Sequence, residues 1–246
     1  MLLNKINEEG KTKNMKLNAK KTKVMYIGKK PYKDISIDGE TLERVENFTY
    51  LGSSKAQNGD CKPDIVRRIA QGKTKMIALK NIWKDKDLST NLKIKIMKTL
   101  VWTTMTYGAE GWTLKTEEKR RVQAAEIWCY RRLLNITWKD KKPNSEILKE
   151  LEKERELYGI IVKRKLTYFG HMSRNTNSSI TKIIVQGKVE GKRGRGRPKI
   201  SYMDNVRLWT GMSTQSVFKA TLDRESWRNK CWESSRAANA LLDDAA

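Results

Sequence analysis

Histidine occurs once, at position 171, and cysteine three times, at positions 61, 129 and 231. Any Ser-His-Asp or Cys-His chemistry would have to run through His171 alone. No two of these four residues sit at the spacing of a zinc ligand pair. The thiols are odd in number and far apart, which suits reduced intracellular cysteines rather than a disulfide framework. No apolar run comes near the roughly 20 residues that cross a bilayer. The opening MLLNKINEEGKTKNMK lacks the apolar core of a signal peptide. A protein of the nucleus or cytoplasm, neither secreted nor membrane-inserted, is expected. Nucleotide cradles are missing too, since GRGRP has no preceding strand and no Lys-Ser/Thr pair.

Acid is the other shortage. Aspartate and glutamate number 28 against 52 lysines and arginines, a net charge of +24. That self-repulsion weakens a compact fold and serves no small-molecule enzyme. A polyanion relieves it, because neutralised phosphates release condensed counterions. The expected partner is nucleic acid, RNA or DNA, rather than a membrane surface or a small-molecule substrate.

Residues 1–16 are polar and basic and are expected to be disordered. LNAKKTKVMYIG, ISIDG with its Asp-Gly turn, and NFTYLGS predict a short antiparallel sheet across 17–54. The remainder reads as helices. Asp60 and Pro63 mark a start. Ser89 caps a second helix, in which Leu92, Ile96, Leu100 and Thr103–Thr104 share a face, and Gly108 stops it. Thr116 opens a third, with Val122, Ala125, Cys129 and Leu133 as its stripe. A long helix is expected from about Asn144 to Met172, with EILKELEKEREL as a solvated charged face. A loop follows at 173–179 and a short strand or extended link at 180–190. Helices at about 199–210, 213–221 and 223–240 close the chain. The fold class is α+β, a small antiparallel sheet followed by a helical bundle and a helical tail. Hydrophobic content of 38% predicts marginal stability, with 61–172 the most cohesive part.

The phrases LNAKKTKVM, NFTYLGS, VWTTMTYGAEGWTL, LTYFGHMSR, GKRGRGRPK and DRESWRNK occur in this order. Together, across 17–232, they resemble the C-terminal part of the endonuclease–reverse transcriptases of LINE-type, non-LTR retrotransposons. The resemblance implies a late-palm remnant at 17–60, a helical thumb at 61–138, a post-thumb helical region at 139–190, a basic linker at 191–199 and a helical tail at 200–246. It makes Lys21, in Lys21-Thr22-Lys23, the candidate for a lysine that assists the pyrophosphate leaving group. Lys23 is a candidate nucleic-acid contact beside it. For Lys21 the alternative is a solvated lysine on a strand's outer face. Tyr50, Leu51 and Gly52 resemble the primer-grip turn, where glycine permits close backbone approach. An ordinary glycine turn is the alternative.

Polymerisation needs paired aspartates holding two metal ions about 3.5–4 Å apart. The motifs that carry them in this family are absent. Tyr202-Met203-Asp204-Asn205 imitates one of them but reads as the first turn of a helix with Tyr202, Val206 and Trp209 as its stripe. Asp243-Asp244 lies at the frayed C-terminus. The resemblance therefore implies a truncated protein of the RNA-directed DNA polymerase family. It would bind template and primer, lack polymerase activity alone, and need no cofactor, since Mg²⁺ belongs to a full-length polymerase. An independent nucleic-acid-binding module and a reading frame without selected function remain alternatives.

Of the tryptophans, Trp83, Trp102, Trp128 and Trp209 have apolar company at helical spacing and are expected in the core. Trp112, beside Gly111 at a helix break, is the candidate for base stacking. Trp138, after the third helix, fits either role. In GKRGRGRPK, Lys192, Arg193, Arg195, Arg197 and Lys199 put five cations into nine residues without an apolar side chain. Arg195-Gly196-Arg197-Pro198 matches an AT-hook core, although Gly194 replaces the usual proline. General phosphate contact, A/T-groove binding, a nuclear-localisation signal and a plain linker all fit this stretch.

Overall fold

The structure is a computed structural model that describes residues 2–26, 34–174, 183, 185 and 200–240. The chain divides into two units, Met1–Asp64 and Ile65–Ala246. The α+β expectation holds, with helices predominating.

The first unit opens with a helix, α1 (Leu2–Thr12), where disorder was expected. Its anchor is long-range and so invisible to composition. Asn7 Nδ2 and Lys11 Nζ both donate to Asp38 Oδ1, at 3.0 and 2.7 Å. Asp38 (φ 50°) and Gly39 (φ 84°) form the anticipated Asp-Gly turn. That turn joins β2 (Ser36–Ile37) to β3 (Glu40–Thr41) in antiparallel register. The single sheet read from 17–54 is instead three two-stranded ladders among the described residues. β1 (Lys23–Val24) runs parallel to β4 (Glu43–Arg44), and β5 (Asn47–Tyr50) pairs antiparallel with β6 (Ser53–Ala56). All side chains of β3, β4 and β5 are exposed, so these strands share no buried face that could merge them. Ile37, Leu42 and Ala56 make the small core.

Helix α2 (Lys62–Ala78) begins in the last three residues of the first unit; in the second, it and α3 (Lys80–Lys84) lead to α4 (Thr90–Ile96), whose Ser89 cap accepts from Leu92 N at 3.3 Å as anticipated. A π-helical turn (Met97–Trp102) and α5 (Thr103–Met105) continue it. The buried face is Ile94, Met97, Val101 and Met105, whereas Leu92 and Leu100 are exposed. The face read from periodicity, Leu92, Ile96, Leu100 and Thr103–Thr104, is therefore not the buried one. Thr99, Thr103 and Thr104 satisfy their hydroxyls on the carbonyls of Lys95, Thr99 and Leu100, so their face can stand in solvent.

Helix α6 (Thr116–Leu133) buries Val122, Ala125, Cys129 and Leu133, the stripe anticipated for it. The long helix expected over 144–172 is two, α7 (Asn144–Glu150) and α8 (Leu157–Arg174), with Glu152 between them at φ 51°. Glu126 of α6 sets the restart. Its Oε1 accepts from the backbone N–H groups of Glu156 (2.6 Å) and Leu157 (3.0 Å), which caps α8. EILKELEKEREL is accordingly not a solvated face, since Ile147, Leu151 and Leu157 are buried.

The tail helices α9 (Tyr202–Thr210), α10 (Thr214–Ala220) and α11 (Arg224–Ala240) fall where the sequence put them. They are not an appendage. Trp227 Nε1 of α11 donates to the Leu166 carbonyl of α8 at 3.0 Å, and Ser235 Oγ donates to that of Gly159 at 2.9 Å. The cohesive body thus runs past 172 into the tail. Of 180–190 only residues 183 and 185 are described, both helical rather than extended.

Candidate nucleic-acid interface

Lys21 precedes β1 rather than lying in a strand. It closes a turn in which its N–H donates to Asn18 Oδ1 at 3.0 Å, and its side chain is exposed. Lys23 lies in β1 and forms an ion pair with Glu43 of β4, so its charge is already met inside the fold. Tyr50, Leu51 and Gly52 form the tip of the β5–β6 hairpin. Leu51 (φ 47°) and Gly52 (φ 76°) both take the left-handed region that a two-residue hairpin turn requires. For leucine that conformation costs about 1–2 kcal/mol. Tyr50 and Leu51 are 62% and 75% exposed, so this strained tip is also apolar and solvent-facing. Below it, Asp64 accepts from Ser54 N (2.9 Å) and Ser53 Oγ (3.2 Å). The turn geometry fits a close approach to a strand end.

Trp112 is excluded as a stacking platform, because it is only 1% exposed. Its carbonyl accepts from the wholly buried Lys165, whose Nζ also donates to Asn205 Oδ1 at 3.0 Å and lies 4.0 Å from the Tyr202 ring centre. Burial of an ammonium is tolerable here because acceptors and an aromatic face replace water. The same cluster fixes Tyr202-Met203-Asp204-Asn205 as a helix start. Asp204 accepts from Ser201 N and Oγ, both at 2.8 Å, and pairs with Arg207. Asn205 accepts from Leu114 N (2.8 Å) and donates to Leu114 O (2.9 Å). An aspartate committed to a capping box and an asparagine held in the core do not fit a two-metal centre. Among the described residues no three His, Cys, Asp or Glu side chains gather as metal ligands. Burial pushes the Cys129 thiol up to about 12 and that of Cys231 up to about 11, out of the range of reactive thiolates.

The residues that do converge were not foreseen as a site. A groove of about 730 Å³ lies between α3 and the C-terminal end of α6. Lys80, Lys84, Arg131 and Arg132 line it, with no carboxylate among the lining residues. Trp83 is buried at its base, and its Nε1 donates to the Met76 carbonyl at 2.7 Å. Trp128 is half-buried, with Lys73 Nζ and Arg132 Cζ at 5.2 and 5.8 Å from its ring centre. Trp138 stands at the rim, 82% exposed, in the first position of a 3-10 turn (Trp138–Asp140).

Over 170 residues the chain is 25% identical to a Caenorhabditis elegans protein named as transposon-derived and uncharacterized. The match covers 68% of this chain and 61% of that relative's length. No family model matches, and no solved structure matches.

The candidates thus lie apart along the chain, with the hairpin tip in the first unit and the tryptophan–cation groove in the second. Lys192, Arg193, Arg195, Arg197 and Lys199 lie outside the described residues. One local signal did point to the groove. Thr137 and Asp140 stand at capping-box spacing, which places Trp138 on a fixed turn directly after the basic end of α6.

Proposed function

We propose that the chain derives from a retroelement and acts as a non-polymerising member of the reverse transcriptase group that holds a nucleic-acid template or primer. The observation that carries binding is the groove of α3 and α6, where four cations and an exposed tryptophan meet without a carboxylate. Such a surface suits phosphates and bases together. Retroelement origin is supported by the ordered phrases from LNAKKTKVM to DRESWRNK and by the likeness to a transposon-derived protein. The non-polymerising reading is supported by the missing aspartate motifs and by the structural duties of Asp204 and Asn205.

The test is primer extension on the purified chain with Mg²⁺ or Mn²⁺, run beside a gel-retardation assay on the same template. Retardation without template-dependent incorporation is expected. Sustained incorporation contradicts the proposal, as does failure to retard any template at low salt.

A further inference from the structure

Trp138 is a groove residue whose exposure no packing in the fold explains. An indole left 82% exposed keeps a large apolar face in water. Its mounting is nevertheless fixed. Asp140 Oδ2 accepts from Thr137 N at 2.6 Å and from Thr137 Oγ1 at 2.8 Å, which closes the turn. Arg131 Nη2 donates to the Lys142 carbonyl (2.6 Å) and to Asn144 Oδ1 (3.1 Å), which ties the loop to α6 on its far side. On the near side Asn135, at φ 57°, donates from Nδ2 to the Trp83 carbonyl at 3.1 Å. A platform held at both ends loses little freedom when it takes a partner.

Charge selects the class of that partner. Arg131 is occupied with the loop, which leaves Lys80, Lys84 and Arg132 as the cations facing the groove. The acids nearest in sequence to the lining residues, Asp85 beside Lys84 and Asp140 beyond Trp138, accept from Asp87 N and from Thr137 respectively, and neither lines the groove. Cations beside a free indole fit a polyanion that carries flat rings. In a duplex the faces of the bases are covered by their stacked neighbours, and only an unpaired strand can offer one.

We infer that this groove binds single-stranded nucleic acid, RNA or DNA, with a base stacked on Trp138 and the adjoining phosphates against Lys80, Lys84 and Arg132. This rests on the nucleic-acid reading above and adds to it the strand state and the residues responsible.

Fluorescence anisotropy with labelled oligothymidylate, oligouridylate and a mixed-sequence duplex of equal length tests the site. Trp138→Ala is expected to weaken both single strands about ten-fold, the order of one lost base stack. Duplex affinity and the thermal midpoint should stay unchanged, and Trp138→Phe, which keeps an aromatic face, should recover most of the loss. A loss confined to one single strand supports the site and assigns it to RNA or to DNA. Equal loss for single strands and duplex, or no loss for either, overturns the inference. So does displacement by polyglutamate as effective as displacement by unlabelled oligouridylate at equal charge concentration, which would assign the groove to an acidic protein. If the unaltered chain binds none of the probes at low salt, the broader reading falls as well. If it binds all three and Trp138→Ala changes nothing, this inference alone falls.

Discussion

Glu126 stands on α6 with its carboxyl wholly out of solvent. Its Oε1 caps α8, while Oε2 has no hydrogen-bond partner among the described residues. Burial pushes this carboxyl up to about 7, against the pull of the two backbone donors. Unfolded, a glutamate titrates near about 4.3, so between these values the folded chain binds more protons than the unfolded one. The stability Glu126 contributes is therefore present at acid pH and is lost as pH rises through about 7. Wild type should lose thermal midpoint relative to Glu126→Gln as buffers move from about pH 5.5 to about pH 8. A difference between the two that stays constant with pH would contradict this. Nothing in EEKRRVQAAEIW marks this glutamate off from Glu117 or Glu118, because its role is set by the start of α8 arriving from 30 residues downstream. Trp112 and Trp138 teach the same lesson. Each follows a helix break, yet a buried lysine draws the first into the core while the second is left outside.

Among the elements, the pair α8 and α11 depends on small residues. A Cβ on Gly170 would lie 2.3 Å from Trp227 Nε1, and one on Gly159 would lie 2.7 Å from the Ser235 carbonyl oxygen. Gly170→Ala is expected to cost about 1–3 kcal/mol through overpacking. The measurement is a urea titration, in which the midpoint should fall with the slope unchanged; an unmoved midpoint would contradict the close crossing. Where a signal is local, the sequence reading of these helices succeeds. Ser89 caps α4 as anticipated, and the ranges read for the tail helices match α9 and α10, which Ser201 and Ser213 cap through their own side chains. Where the deciding partner is distant, it fails. The stripe with Leu92 and Leu100 faces solvent while Ile94 and Met97 turn inward, and the restart at α8 is capped by a carboxylate on another helix. The two-residue strands β1 to β4 carry too little alternation to reveal that they pair as two ladders separate from β5–β6.

At the scale of the molecule, the net charge of +24 was plain from composition, and it pointed to a polyanion before any contact was known. Its placement was not. The sequence drew attention to 191–199, whereas the groove gathers Lys80, Lys84, Arg131 and Arg132 from two helices about 50 residues apart. Both belong to one electrostatic claim, that this chain binds nucleic acid by neutralising phosphates. The most direct test is the affinity for oligouridylate measured across salt from about 50 to 200 mM. With Lys80, Lys84, Arg132, Arg195 and Arg197 each neutralising a phosphate, the log–log slope should be about −3 or steeper, and Arg195→Ala with Arg197→Ala should flatten it by about one unit or more. A slope near zero in the wild-type chain, or binding that the double substitution leaves as salt-dependent as before, would contradict the claim.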